Sequence, residues 1–238
     1  MMIKNFTIHH FNEIPSSNDL ALKLLKENQI THNHIITAKS QNAGRGRLDR
    51  HWSSPPGNLY FSLIVRPEKF HERVSDLSFL AAISLNESLR KISPKNLEIQ
   101  NKWPNDILIN GKKTAGILLQ KYQDYIIIGI GLNLISHPEQ TIFPASNLAE
   151  FSLEILPENA LENFLHSFSD FYQKWQNFGF TPIRNIWLQN AYKINKEISL
   201  NLGEEKINGI LQEIDTAGNL ILQTAQNTKE VIKTADIL

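Results

Sequence analysis

The dipeptide Asn110-Gly111, set between "DILI" and "TAGILLQKY", restricts the fold of this chain more than any other feature. A two-residue connection needs positive φ at both central positions, which Asn-Gly accepts, so the flanking runs are expected to pair as an antiparallel hairpin. "LEIQNKW" supplies a strand before the hairpin and "YIIIGIGLNLI" one after it, with Gly129 and Gly131 on one side, where something can approach the backbone closely. "IKNFTIHHF" and "HIITAK" are further strands, and after the turn "SSPPGN" the run "LYFSLIVR" places Leu59, Phe61, Leu63 and Val65 on one face of a half-buried strand.

Helical spacing accounts for the segments between. "SSNDLALKLLKEN" predicts a helix capped by Ser16 or Ser17, with Leu20, Ala21, Leu24 and Leu25 on its apolar face. Further helices are expected over 75–92, 158–178 and 182–190. From about Lys196 the texture changes to short strands with turns at Gly203 and at Thr216 to Asn219, which suits a small β-barrel. The expected organisation is therefore α+β: a mainly antiparallel sheet packed with helices over 1–192, then the barrel over 193–238.

Lys and Arg (24) balance Asp and Glu (24), so any anion-binding site must be local. Without cysteine, thiol chemistry, thiolate metal sites and disulfides are excluded, and the absence of a run of ~20 apolar residues points to a cytoplasmic protein with no membrane span. The histidines His9, His10, His32 and His34 are expected at the surface near strand ends, since no acidic cluster surrounds them. No G-x-S-x-G, H-E-x-x-H or Walker signature is present.

The segment from Lys39 to Trp52 is locally basic, holding Lys39, Arg45, Arg47 and Arg50 against Asp49. It is either a solvated loop or a grip on phosphate, for which glycine amides and guanidinium forks are suited, with Trp52 offering a face for adenine. "KWPNDILINGKKTAGIL" adds Lys102 and Lys113, expected on neighbouring strands, and Asp106, whose oxygens suit Mg²⁺. Cations and a carboxylate without a protein nucleophile point to phosphoryl or nucleotidyl transfer, catalysed by positioning and charge neutralisation.

The ordered set "SSND", Q-x-A-G-R-G-R, R-x-W, "KWPND", K-x-A-G-I-L and "GIGLN" resembles the biotin protein ligases over about residues 3–190, with the tail similar to that family's C-terminal domain. The resemblance implies the catalytic fold shared with class II aminoacyl-tRNA synthetases, ATP and Mg²⁺, formation of biotinyl-5′-AMP, and transfer of biotin to a lysine of a biotin carboxyl carrier protein. By position it implies biotin contacts from Ser16, Ser17, Asn18, Gln41, Arg45, Gly46, Arg47, Lys113 and Gly116. Arg50, Trp52, Lys102, Asn105, Asp106 and Asn133 would serve ATP, Asp106 the metal, and Lys113, Lys102 and Arg47 catalysis. Ser17 stands where the family has Thr, and Leu48-Asp49 where some relatives have Arg-Gly.

The alternatives are a lipoate ligase or octanoyl transferase of similar fold, and a non-catalytic biotin-binding regulator. The chain starts at the catalytic region, so no DNA-binding repressor role is expected. A sheet edge could pair with the carrier or with a second copy of the chain.

Overall fold

A computed structural model describes residues 6–70, 72–202, 205–225 and 228–237. The first layer contains β1 (Thr7–Ile14), α1 (Ser17–Lys26), β2 (His34–Gln41), β3 (Leu59–Val65), α2 (Asp76–Ile92), β4 (Ile99–Lys102), β5 (Asp106–Ile109), β6 (Lys112–Tyr122), β7 (Tyr125–Leu132), α3 (Pro157–Phe178) and α4 (Phe180–Gln189). After these come β8 (Glu197–Leu202), β9 (Glu205–Ile214), β10 (Leu220–Gln223), β11 (Lys229–Ile232) and β12 (Asp236–Ile237). Residues 3–5 of the first expected strand, and the expected turn at Gly203, lie outside the described residues.

The Asn110-Gly111 turn forms with φ of 48° and 77°, and joins β5 to β6 antiparallel. Around it a sheet assembles in the order β1-β2-β3-β7-β6-β5-β4, in which β1 and β2 run parallel and all other neighbours antiparallel. One face carries the main core, where Phe61, Leu63 and Val65 meet α2, α3 and α4 through Leu77, Phe164, Phe168, Trp175 and Trp187. The opposite face carries α1, whose Ala21 and Leu25 pack on Ile36, Ile64 and Ile127. Covered on both sides, every residue of β3 is buried, where alternation alone had predicted a half-buried strand. Strands covered on both faces lose the polar side of the period-two pattern.

Helix α1 is capped by Ser16, whose side chain accepts from the Asp19 N–H at 3.3 Å. Gly179, at φ 70°, separates α3 from α4. The four histidines lie on β1 and β2 or just before β2; His9 and His34 stack across the parallel pair with Nε2 and Nδ1 2.9 Å apart.

The C-terminal strands form an antiparallel sheet in the order β11-β10-β9-β8-β12. This corrects the expected barrel: among the described residues β11 and β12 share no ladder, so the sheet is open. Edge strands of four and two residues are too short to provide the staggered pairing that closure requires. The end of β9 and the turn after it fasten this sheet to the first layer, since Arg184 pairs with Glu213 at 2.5 Å and Trp103 Nε1 donates to the Gly218 carbonyl at 3.0 Å.

Candidate functional site

The residues singled out from the sequence converge on one cavity of about 700 Å³, lined by the start of α1, the loop after β2, the pocket-facing side of β6 and β7, the β4–β5 turn and the end of the C-terminal sheet. All of Ser16, Ser17, Asn18, Gln41, Arg45, Gly46, Arg47, Arg50, Trp52, Lys102, Asn105, Asp106, Lys113, Gly116 and Asn133 line it. Lys39 does not: it lies exposed on β2, outside this lining. The volume falls in the range of small-molecule sites.

One end is polar and uncharged. The backbone N–H of Ser17 donates to Gln41 Oε1 at 2.7 Å, and Gln41 Nε2 donates to Ser54 Oγ at 2.9 Å. Ser62, in the middle of β3, reaches Ser17 Oγ at 2.7 Å and Asn18 Oδ1 at 2.5 Å. That bond fixes the amide of Asn18 so that its buried Nδ2 has no hydrogen-bond partner among the described residues. A buried orphan donor costs on the order of 1–3 kcal/mol, so this end is built for an acceptor from outside the chain.

The other end is ionic. A bulge on β6, where Ala115 faces Ile107 but Lys113 faces Leu108, leaves Thr114 as the extra residue. Strict alternation would put Lys113 and Gly116 on opposite faces; the bulge lets both face the pocket. Lys113 Nζ lies 2.7 Å from Asp106 Oδ1, and Lys102 Nζ 3.9 Å from Asp106 Oδ2. Lys102 and Lys113 are not on neighbouring strands as expected: β5 lies between β4 and β6, and its Asp106 is the carboxylate both lysines share. Lys102 is only 5% exposed and lies 3.7 Å from the centre of the Phe143 ring. Burial pulls its ammonium down to about 8, a shift that Asp106 partly opposes.

The two glycines of β7 admit side chains of the protein itself. A Cβ on Gly129 would overlap the Asn18 amide, and one on Gly131 the Trp52 indole. On β6, a Cβ at Gly116 would lie 2.9 Å from Trp52 Cζ3. Trp52 therefore lies against bare backbone of both strands, with Lys113 Nζ 5.2 Å from its ring centre. Asn133 is buried at the end of this wall, its Nδ2 donating to the Ser146 carbonyl at 3.0 Å.

The Gly-Arg loop forms the remaining wall. Arg45 pairs with Asp19 at 2.5 Å, Arg47 donates to Asn105 Oδ1 at 3.3 Å, and Arg50 pairs with Asp236 of the C-terminal sheet. Leu48 and Asp49 take φ of 53° and 55°, a left-handed conformation that costs a residue such as Leu roughly 1–2 kcal/mol and Asp less. The turn is thus made without a glycine at either position.

A profile of the biotin/lipoate A/B protein ligase family matches residues 11–133, and one of the biotin protein ligase C terminal domain matches residues 193–238. The chain belongs to the biotin/lipoate A/B protein ligase family. Within it, the chain is 33% identical to the biotin--[acetyl-CoA-carboxylase] ligase of Paracoccus denitrificans, over 93% of this chain and 96% of that one. It is 32% identical to the bifunctional ligase/repressor BirA of Bacillus subtilis, over 95% of this chain and 72% of that one. Among solved structures, the Aquifex aeolicus biotin protein ligase in complex with biotin and ATP superposes with a TM-score of 0.84 at 28% identity, covering 98% of this chain and 97% of that one.

Sequence reasoning missed several residues of this ligase-family site. Ser62 carries a signal, the one small polar residue of an otherwise large and apolar strand, that strict alternation hides. Ser54 belongs to "SSPPGN", whose composition signals a turn and nothing of the hydrogen bond to Gln41. Phe143, Thr234 and Asp236 had no local signal, because each meets the site through contacts distant in sequence.

Proposed function

We propose that this chain is an ATP-dependent biotin protein ligase that makes biotinyl-5′-AMP and passes the biotinyl group to a lysine of a biotin carboxyl carrier protein. The observation that carries this reading is the two-ended cavity. A neutral end with an orphan amide donor suits a ureido carbonyl, and an end of two lysines about one aspartate suits a carboxylate meeting a triphosphate. The relatives support the same substrates.

In the first step a biotin carboxylate oxygen attacks the α-phosphorus of ATP, the bond from that phosphorus to the β-phosphate bridging oxygen breaks, and pyrophosphate leaves. Ser16, Ser17, Asn18 and Gln41 hold the head group, and Gly116 leaves β6 bare where the Trp52 indole lies beside Lys113. Lys113 neutralises the carboxylate and the α-phosphate as they approach, work that is worth most in a water-poor site. Lys102, Arg47 and Arg50 take phosphate charge, Asn105 orients Arg47, and Trp52 and Asn133 flank the adenine. In the second step the amine of the carrier lysine attacks the acyl carbon, loses its proton and expels AMP, so water must be kept away by Arg45, Gly46 and Arg47 of the loop.

Asp106 is a single carboxylate, and among the described residues no cluster of three or more His, Cys, Asp or Glu surrounds it. That donor set fits Mg²⁺ arriving with ATP, held by one carboxylate with phosphates and water, rather than a resident ion. Asp106 would be its protein ligand, and the ion would supply further neutralisation of phosphate charge.

The buried Lys102 gives a pH test. Its ammonium is charged below about 8 and neutral above, so kcat/KM for ATP falls as pH rises through that value. A profile that stays flat well above pH 8 would remove the Lys102 charge from nucleotide binding. The function itself is tested by ATP–pyrophosphate exchange with biotin and with lipoate. Exchange is expected with biotin; exchange with lipoate alone would overturn the reading.

A further inference from the structure

Two arginines of the Gly-Arg loop are held by the C-terminal sheet. Arg47 donates to Thr234 Oγ1 at 3.1 Å, and Arg50 is ion-paired with Asp236. Asp236 is itself fixed, since it and Ile237 pair with Asn201 and Leu200 of β8, and the exposed Thr234 directly precedes Ala235, which like Ile237 is buried in the main core. The grip therefore comes from a packed part of the molecule.

The loop backbone pulls the other way. Leu48 and Asp49 are both left-handed, and no residue of the turn at 47–49 is buried. Leu48 is 71% exposed, so apolar burial does not offset its backbone conformation. A segment with strained dihedrals, no buried side chain and partly exposed ion pairs belongs to the part of a protein that opens first. Asp236 keeps its charge into acid solution, because the hydrogen bond from Arg50 holds its carboxyl below the usual range.

We propose that Thr234 and Asp236 are positioning residues that latch the Gly-Arg loop over the cavity through Arg47 and Arg50, against the strain at Leu48 and Asp49. Resting on the ligase reading, this makes the C-terminal sheet the element that sets how long biotinyl-5′-AMP is retained before a carrier arrives. The latch is weak by construction, since partly exposed ion pairs contribute little, and it must be weak for biotin, ATP and the carrier lysine to enter in turn.

Latch and strain act with opposite signs, which makes the proposal testable from both sides. Amide hydrogen exchange of residues 43–52 in the ligand-free protein is measured for wild type, Asp236→Asn, Asp236→Glu and Asp49→Gly, followed by the half-life of bound adenylate without carrier. Asp236→Asn is expected to speed both loop exchange and adenylate loss by about 2- to 5-fold, and Asp236→Glu to restore most of the difference. Asp49→Gly, which removes one strained dihedral, is expected to slow both by about threefold. All variants should unfold thermally within a few degrees of wild type.

Loop exchange unchanged in Asp236→Asn, or altered equally by Asp236→Glu, would overturn the latch. Faster exchange in Asp49→Gly would overturn the strain half of it. The exchange arm needs no substrate: a loop that responds in a protein that forms no adenylate would leave the latch standing and remove the ligase reading.

Discussion

Lys113→Ala is expected to lower biotin-dependent pyrophosphate exchange by about 10²–10³-fold, the usual cost of deleting one group that stabilises developing charge. Lys113 stands at the ionic end of the cavity, 2.7 Å from Asp106 and 5.2 Å from the centre of the Trp52 ring. It is placed there by a bulge whose backbone the substitution leaves alone, so the fold should persist. Without it, Asp106 retains only the more distant Lys102, and its charge would face an incoming carboxylate and triphosphate. Single-turnover formation of biotinyl-5′-AMP, followed with labelled ATP beside a thermal melt, separates lost chemistry from lost folding. Wild-type adenylate formation in a folded Lys113→Ala protein would remove this residue from the mechanism.

Gly131→Ala is expected to weaken adenylate formation by an order of magnitude or more, although it adds only one methyl group. The Cβ would overlap the Trp52 indole, and the β7 backbone beneath it is locked between β3 and β6. Trp52 must therefore leave the cradle it shares with Gly116, and the Gly-Arg loop moves with it, because the backbone N–H of Trp52 donates to the Gly44 carbonyl at 2.9 Å. Overpacking of this kind costs about 1–3 kcal/mol. The expected outcome is a raised KM for ATP with a smaller change in melting temperature. Pairing the change with Trp52→Phe, whose smaller ring leaves room for a methyl, should recover part of the loss in a double-mutant cycle. A strictly additive cycle would show that Trp52 and Gly131 are not coupled.

These two residues also show what could be read without a structure. Asn110-Gly111 declared its hairpin because the constraint lies in two adjacent residues, and the pair Ser16-Ser17 declared a helix start for the same reason, of which Ser16 is the cap. Gly129 and Gly131 announced a close approach to one face of a strand. What approaches turned out to be Asn18 and Trp52 of the chain itself.

Local patterns failed where tertiary context decides. β3 is buried on both faces because α1 happens to cover its second side, which hid Ser62 and its hold on Asn18. Lys102 and Lys113 were expected to be adjacent, but a strand of four residues runs between them and supplies their common carboxylate. Arg50 pairs with a residue 186 positions away, a separation at which no spacing rule speaks. The C-terminal strands were legible as strands, but their closure was not, since it depends on how far the edges extend.

The central claim is that one cavity holds the biotin head group at its neutral end and the reacting carboxylate and phosphate at its lysine end. A crystal structure of the protein soaked with biotin, ATP and Mg²⁺ tests it most directly. The expected result is biotinyl-5′-AMP with its ureido carbonyl at Asn18 Nδ2, its phosphate beside Lys113, and residues 43–52 closed over it. An adenylate lying in the reverse orientation, or bound outside the space between the Gly-Arg loop and β7, would contradict the account.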